Sequence, residues 1–548
     1  MMSNKLKLLY LIVCVSCHQL AVAHDYYVHP ELGDNSNTGF SKSVPLKTLA
    51  SISKIKLLPG DRVLLASNQY YKTGIRLINQ NGTENNPITI TTINWDTDIS
   101  SNPAIINFKG EANGILIQDC SFIEVSNIWV TGDGFFKNSG QKSKMRCGVL
   151  VINTHSRKMM NITIKNITVF DVFYENNGFT RGKNEVKTAN GTQKYGWGIR
   201  VINKNPKTSI DLVNIENCHI KNVAHTGIKL SGNNKNITQV KISGNKVEGT
   251  GGPGIQMSGV NNTTVVNNFV THSGSHDDTR KWGRGSGLWT WGASNVLIEK
   301  NKFLYANGPG DSAGAHIDFN CNNIVLQYNI SAYNAGGFCE ILGNNYNCIY
   351  RYNISVNDGY RVKGVNGAFQ EGKILWLSGY QGTNKKRKGP VNSYIYNNTI
   401  YCDSSIVAKI AIDNTSNGVL IANNIFHILG STKAVLGDQY KPDTVEDILA
   451  KNVLFKNNLF LRESSWSAEI SIKDTEPIFG NSNFTNAGGL EAKDYLPKNS
   501  YLVKNKGIYI ELLSNDSNGL LESLSLKEDI LGTPILDIPS IGALEFKE

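Results

Sequence analysis

Residues 314–355 read GAHIDFNCNNIVLQYNISAYNAGGFCEILGNNYNCIYRYNIS and contain one short phrase twice, as NIVLQYNIS at 323–331 and NCIYRYNIS at 347–355. Apolar residues alternate with polar ones in both copies, which is the period of a β-strand. The pattern apolar-x-x-Asn-x-apolar recurs along the chain, with its shared residue at Asn245, Asn268, Asn301, Asn329, Asn353, Asn398, Asn424 and Asn458. Short strands that repeat in this way predict a solenoid of parallel strands.

The repeated Asn marks a turn at one fixed place in each coil. Asn tolerates a left-handed backbone and bonds to backbone groups near it, and Asn side chains stacked along the solenoid axis can also bond one another. Two earlier coils carry Cys218 and Ile167 at this place, in IENCHI and IKNITV. The segments between the strands show no helical period, which excludes alternating strand–helix units.

The chain resembles the right-handed parallel β-helix proteins of the pectate-lyase-like superfamily over nearly all of the sequence after residue 23. Its start, DYYVHPELGDNSNTGFSKSVPLKTLASISKIKLLPGDRVLLA, and its end, DILGTPILDIPSIGALEF, are similar to the opening and closing segments of that family. The resemblance implies an all-β fold, a right-handed single-stranded parallel β-helix with a short N-terminal capping helix near Pro45–Leu58. It also implies a carbohydrate-active protein, although this one fold supports several chemistries.

The resemblance divides the chain into a signal peptide at 1–23, an N-terminal strand and capping helix at 24–60, the β-helix at 61–480 and a closing segment at 481–548. The first segment combines a basic start, an apolar run and AVA before His24, which predicts export to the periplasm, the cell exterior or the cell surface. A lipoprotein anchored at Cys17 is the less favoured alternative, because Cys14 stands where Leu is expected. No later segment is apolar enough to predict a membrane span.

Composition limits the partners. Seven Cys remain after the leader, with no C-x-x-C pair, so we predict small core residues rather than disulfides or a zinc site. The formal net charge of +10 suits an acidic polymer, but nothing else indicates nucleic acid. The expected partner is a polysaccharide or an oligosaccharide, and the sequence leaves the oligomeric state open.

A second strand precedes each Asn turn, and its middle residue lies between apolar neighbours. Because side chains alternate between the two faces of a strand, the middle residue must point away from the core. The strands GIRVIN, GIKLSG, GIQMSG, GLWTWG, HIDFN and FCEILG thus predict an outward row of Arg200, Lys229, Gln256, Trp289, Asp318 and Glu340, with Trp376 as a less certain seventh member. This alignment places Asp318 and Glu340 on adjacent rungs.

Two neighbouring carboxyl groups suit glycoside cleavage, which needs one protonated acid and one ionised partner. We therefore predict Asp318 and Glu340 as the catalytic pair, with Asp311 as a third candidate. The residues expected to bind substrate are Arg200, Lys229, Gln256, Trp289, His316, Arg361 and Lys363. Two long loops, 271–287 and 305–316, are expected beside the row and contribute further polar groups at His272, His276, Asp277, Asp278, Arg280, Lys281 and Arg284.

Two alternatives remain at this stage. A polysaccharide lyase would use Lys229, Lys363 or Arg361 as base, with Ca²⁺ held by Asp318, Glu340 and Asp311. The chain lacks the Arg-x-Pro-x-x-Arg motif of the pectate lyases and the paired Asp signature of the polygalacturonases. A non-catalytic glycan-binding surface protein is the other alternative. A glycoside hydrolase, the favoured interpretation, is expected to need no metal and no other cofactor.

Overall fold

The structure is a computed structural model that describes residues 23–95, 102–134, 145–173, 196–274, 285–382, 384–435, 450, 452–467, 470, 473–514, 516 and 523–547. The predicted signal peptide lies almost entirely outside the described residues, and so do His276, Asp277, Asp278, Arg280, Lys281 and Arg284. Export and the four segment boundaries stay predictions.

Three long parallel sheets form the body of the protein, and successive strands along the chain pass from one sheet to the next. Sheet 1 comprises β1 (Asp25–Val28), β2 (Arg62–Ala66), β5 (Ile88–Ile93), β8 (Ile123–Ser126), β11 (Met159–Lys165), β14 (Ile210–Glu216), β17 (Ile237–Ser243), β20 (Val260–Val266), β23 (Ser294–Glu299), β26 (Asn322–Gln327), β29 (Tyr346–Arg351), β32 (Val391–Tyr396), β35 (Asn417–Ala422) and β38 (Val453–Lys456). Sheet 2 comprises β4 (Ile75–Ile78), β7 (Asn113–Gln118), β10 (Arg146–Asn153), β13 (Gly196–Asn203), β16 (Ile228–Ser231), β19 (Ile255–Ser258), β22 (Leu288–Trp291), β25 (Ala315–Ile317), β28 (Gly337–Ile341), β31 (Lys373–Leu377), β34 (Ala408–Ile412) and β37 (Thr432–Ala434). Sheet 3 comprises β3 (Tyr70–Tyr71), β6 (Ala104–Asn107), β9 (Ile128–Gly134), β12 (Thr168–Val172), β15 (His219–Val223), β18 (Lys246–Thr250), β21 (Phe269–Ser273), β24 (Lys302–Leu304), β27 (Ile330–Ala332), β30 (Ile354–Val356), β33 (Thr399–Cys402), β36 (Ile425–Ile428), β39 (Leu459–Phe460) and β40 (Ile478–Phe479). This is the predicted right-handed parallel β-helix.

Helix is scarce in the described residues. The predicted capping helix is reduced to one turn, α1 (Leu49–Ile52), whose Leu49 and Ile52 are buried. Short 3₁₀ turns occur at Val365–Gly367, Glu463–Ser465, Ala492–Tyr495 and Ser500–Leu502. None of the helices in the described ranges has the length and apolar character needed to span a membrane.

One continuous apolar core fills the interior, because the inward residues of consecutive strands stand in register. In sheet 2, for example, Val201 pairs with Leu230, and Leu230 pairs with Met257. All three side chains are buried. The seven Cys that follow the leader are buried and unpaired, as predicted.

The predicted Asn ladder is confirmed. Each amide nitrogen donates to the amide oxygen of the Asn one coil further on, at 2.9–3.0 Å from Asn245 through Asn424. The ladder ends where Asn458 donates to Asp474 at 2.6 Å. The left-handed geometry, however, falls on the residue before each ladder Asn, including Lys300, Tyr328 and Tyr352. Asn therefore recurs for its side-chain bonds along the axis, and not for its own backbone conformation.

The Asn turn also has a constant length. Two residues separate β14 from β15, β23 from β24, β29 from β30 and β38 from β39, and every coil between them follows the same rule. The connections from sheet 3 to sheet 2 vary instead: among those whose residues are all described, they range from three residues between β36 and β37 to sixteen between β30 and β31. The loop between β24 and β25 and the loop between β30 and β31 therefore both enter sheet 2 at the edge that follows sheet 3.

Candidate active site

The outer face of sheet 2 carries the predicted row, with one correction. Register pairs Arg200 with Lys229, Lys229 with Gln256, and Gln256 with Trp289, as expected. Trp289 then pairs with His316, and not with Asp318. Ile317 pairs with Ile341, which brings Glu340 next to His316. The outer row is therefore Arg200, Lys229, Gln256, Trp289, His316, Glu340 and Trp376.

Asp318 lies two residues further along, so it keeps the outward face but leaves the row. Strand β25 ends at Ile317, and Asp318 begins the turn that follows. Its amide donates to the carbonyl of Thr290 at 2.9 Å, which extends the sheet register and sets Asp318 beside Trp291. The sequence analysis therefore chose a residue two positions too far along β25. A shift of two residues keeps the side chain on the same face of the strand, so alternation alone cannot detect it.

The pKa of Asp318 lies well above the ordinary value of an aspartic acid. Burial raises its pKa to about 7, while His316 and the amide of Phe319 act in the opposite direction. The negative charges of Asp311 and then Glu340 also contribute to the rise. The amide of Phe319 donates to the Oδ1 atom at 2.8 Å. The charges of the other two predicted carboxylates therefore both act on Asp318.

Glu340 is directed toward His316. The residue is 5% exposed, and its Oε2 lies 3.9 Å from His316 Nδ1. The hydroxyl of Ser286 lies 3.1 Å from the same ring nitrogen. A Ser-His-acid triad places the hydroxyl and the acid on different ring nitrogens, so this group is not one. Glu340 and Ser286 instead hold the imidazole in place.

Asp311 sits on a constrained stretch of the loop between β24 and β25. Asp311 and the following Ser312 both adopt left-handed backbone, with φ of 43° and 64°. The amide of Asp311 donates to the side-chain oxygen of Gln370 at 2.6 Å, and its carbonyl accepts a bond from Arg361 at 2.9 Å. Consecutive non-glycine residues in this conformation cost free energy and cluster at functional sites.

Arg361 was predicted to bind substrate, and the structure assigns it a different role. Its buried guanidinium donates to the backbone carbonyls of Gly308, Asp311, Gln370 and Glu371 at 2.8–3.3 Å. Arginine is suited to this task because its rigid fork can serve several acceptors at once. Arg361 therefore braces the loop that carries Asp311.

Two neighbours of Arg361 also lie outside the row. Lys363 is exposed on its loop, where its amide donates to Glu371 at 3.1 Å. Asp358 is buried and accepts bonds from Asn334 and Ser355 at 2.8–2.9 Å. Asp358 therefore fixes the coil, and Lys363 lies on the loop beside Glu371.

Aromatic residues flank the carboxylates on two sides. The rings of Trp289 and His316 are nearly parallel, with centroids 6.0 Å apart. On the other side of Asp318, Phe319 contacts Trp291 and Tyr380 edge to face, at 5.9 Å and 5.6 Å. The sequence analysis missed this second group. The strand GLWTWG contained the signal, because Trp291 is two residues from Trp289 and must share its face.

Further along the row, the ammonium of Lys373 lies 3.7 Å from the ring centroid of Trp376. The pairing of Glu340 with Trp376 confirms that Trp376 belongs to the row, and the sequence analysis missed Lys373. In the described part of the chain, no group of three or more His, Cys, Asp or Glu side chains is arranged to hold a metal ion.

Comparisons with known proteins agree with this fold. Residues 197–370 match the family model described as a right handed beta helix region. A curated relative, lacto-N-biosidase from Bifidobacterium longum subsp. longum, is 25% identical over 496 residues, covering 74% of this chain and 29% of the relative. This chain thus spans less than a third of that protein's length.

Two solved structures share the fold. The GH136 lacto-N-biosidase from Eubacterium ramulus has a TM-score of 0.53 at 20% identity, over 74% of this chain and 68% of that one. The complex of XylC with xylose has a TM-score of 0.52 at 11% identity, over 96% and 98% of the two chains. The chain is a right-handed parallel β-helix that resembles carbohydrate-active enzymes of this architecture.

Proposed function

We propose that the protein is a glycoside hydrolase that acts on an oligosaccharide or polysaccharide, with Asp318 as its general acid. The observation that carries the proposal is the half-buried Asp318, whose pKa is raised to about 7 beside a second carboxylate. A glycosidase needs such an acid, protonated near neutral pH, to donate a proton to the leaving oxygen.

Asp311 is the better candidate for the ionised partner. Among the carboxylates, Asp311 has the larger effect on the pKa of Asp318, and it is half-exposed. Glu340 is almost completely buried and faces His316. The second carboxylate must reach either a sugar carbon or a water molecule, so accessibility favours Asp311. The sequence analysis placed Glu340 in the catalytic pair and Asp311 as the third candidate, and this assignment exchanges the two.

In the proposed reaction, Asp318 protonates the glycosidic oxygen as the bond to the sugar carbon breaks. In a retaining reaction, Asp311 attacks the sugar carbon as this bond breaks, and water that loses a proton to the ionised Asp318 then releases the sugar from Asp311. In an inverting reaction, Asp311 draws a proton from the water that attacks the sugar carbon. Water is the second substrate, so the reaction needs no organic cofactor. Trp289 and Trp291 offer flat apolar surfaces on which sugar rings can stack.

The relatives guide the choice of substrate. Lacto-N-biosidase names an enzyme that acts on lacto-N-biose linkages, so oligosaccharides that carry lacto-N-biose are the first substrates to test.

We also propose, from the N-terminal sequence alone, that the protein is exported. Both points rest on resemblance and composition, whereas the carboxylate assignment rests on the site.

The test compares the full chain with its Asp318→Asn, Asp311→Asn and Glu340→Gln variants on these oligosaccharides and on an acidic and neutral glycan panel. Products are identified by mass. We expect each product pair to gain one water, with rates reduced at least a hundredfold in the two Asp variants and less in Glu340→Gln. Circular dichroism confirms that each variant is folded. Full activity in Asp318→Asn would reject the assignment.

The same products test the two alternatives. A new double bond that absorbs in the ultraviolet, with no water gained, would identify a lyase. The guanidinium of Arg361 is bonded to the carbonyls of Gln370 and Gly308, which leaves a lyase base without support at this position. Tight glycan binding without any product would identify a binding protein.

A further inference from the structure

Two cations stand next to each other on the outer row, Arg200 on β13 and Lys229 on β16. The sheet register pairs them directly. Both point away from the core, because their neighbours on the strands are buried: Ile199, Val201, Ile228 and Leu230. Adjacent parallel strands lie about 4.8 Å apart, so the two positive groups start from neighbouring Cα positions.

Trp197 on β13 holds the side chain of Arg200. The central carbon of the guanidinium lies 3.9 Å from the centroid of the indole ring. Trp197 is itself buried, and its ring packs 5.6 Å from that of His225. A guanidinium that stacks through its face presents its N–H donors at its edge, the arrangement that suits two-point bonding to an oxyanion.

Lys229 has no counter-charge among the described residues. Burial and then the charge of Arg200 lower the pKa of Lys229 to about 7. An ammonium group that is withdrawn from water without an opposite charge is costly. An anion placed between the two cations would remove the mutual repulsion and favour the charged form of Lys229.

We propose that Arg200 and Lys229 form a subsite for an oxyanion of the glycan substrate, either a carboxylate or a sulfate ester. The choice of a glycan as ligand rests on the proposed function. The row continues from Lys229 through Gln256 and Trp289 to His316, which stands next to the carboxylates. Three rungs correspond to roughly 14 Å, so the anion belongs to a sugar at some distance from the cleaved bond.

The test measures anion binding without turnover, by calorimetry on the full-length Asp318→Asn variant. The probes are inorganic sulfate and sodium glucuronate, with glucose as the neutral comparison. We expect saturable binding of at least one anion, and the stronger one indicates the source, sulfate ester or carboxylate. Lys229→Met and Arg200→Gln should each weaken that binding at least tenfold. Lys241→Met is the matched control, because Lys241 pairs with Glu216 on sheet 1.

A second readout is specific to Lys229. At pH 8 the anion should bind together with a proton, so the heat of binding should change with the ionisation enthalpy of the buffer. Lys229→Met should abolish that dependence even if Arg200→Gln does not fold. Absence of saturable binding by both anions, or equal loss in Lys229→Met and Lys241→Met, would overturn the subsite.

Failure of the subsite and failure of the enzyme give different results. Saturable anion binding by a protein that hydrolyses no glycan would support the subsite and reject the hydrolase. Hydrolysis of neutral and acidic glycans with the same KM, together with no anion binding, would reject the subsite and leave the hydrolase standing.

Discussion

Replacement of Asp318 by Asn should stabilise the protein, and the gain should grow as the pH rises. Burial raises the pKa of Asp318 from 3.8 to about 7 in the folded chain. The folded state therefore binds a proton that the unfolded state releases above its own lower pKa. The free energy of unfolding of the wild type falls between about pH 4 and pH 7 for this reason and is constant above pH 7.

The size of the effect follows from the pKa difference. One pKa unit corresponds to about 1.36 kcal/mol, so a rise from 3.8 to about 7 amounts to at most about 4 kcal/mol. An Asn side chain cannot ionise and escapes this cost. The stability difference between Asp318→Asn and the wild type should therefore increase by up to about 4 kcal/mol between pH 4 and pH 8.

The assay is urea denaturation followed by circular dichroism at intervals from pH 4 to pH 8. Asp413→Asn is a contrast with the opposite sign. Burial alone would raise the pKa of Asp413, but bonds from Thr415 and Arg387 outweigh it and lower the pKa. Its ionised form stabilises the fold above pH 4, so Asp413→Asn should lose stability there. A pH-independent difference between Asp318→Asn and the wild type would refute the reasoning.

Three further predictions concern activity and the scaffold. Hydrolysis should decline above about pH 7, as the general acid loses its proton, and a pH–kcat profile that is flat to pH 9 would contradict this. Asn329→Ala should destabilise the fold by about 3–4 kcal/mol in urea, because four buried hydrogen bonds lose a partner; the exposed Asn233→Ala should change stability by less than about 0.5 kcal/mol. Arg361→Gln should lower kcat with little change in KM, because the loop that carries Asp311 loses its brace, whereas Lys363→Gln should leave kcat unchanged.

The sequence predicted the solenoid well because both of its signals are local. Strand alternation and the Asn turn each occupy a few consecutive residues, and a ladder such as Asn301–Asn329–Asn353 needs only the correct spacing between copies. The backbone conformation of the turn was harder to predict from the sequence. The left-handed residue before the ladder Asn is Gly or Asn in five of the eight coils, as sequence preference suggests, but it is Lys300, Tyr328 or Tyr352 in the other three, which that preference would not select.

The site was predicted less accurately because it depends on register and on loops. Strand β25 has only three residues, and His316 and Asp318 both point to its outward face. From the sequence, either residue could therefore be assigned to the row. Charge could not separate a residue that binds substrate from one that supports a loop, as Arg361 illustrates. Both distinctions come from contacts between residues far apart in the sequence, which no short pattern records.

The architecture explains why the chemistry gathers where it does. Each Asn turn is two residues long and is tied to its neighbours by bonds along the axis, so an insertion there would break the ladder. Insertions are tolerated between sheet 3 and sheet 2, where no such ladder runs the whole length of the solenoid. The loops that carry Asp311 and Arg361 arise at this edge and are bonded to each other. The burial of Asp318 and the left-handed backbone of Asp311 both lower the stability of the fold at this edge. The Asn ladder and the apolar core can supply the stability that offsets these two costs.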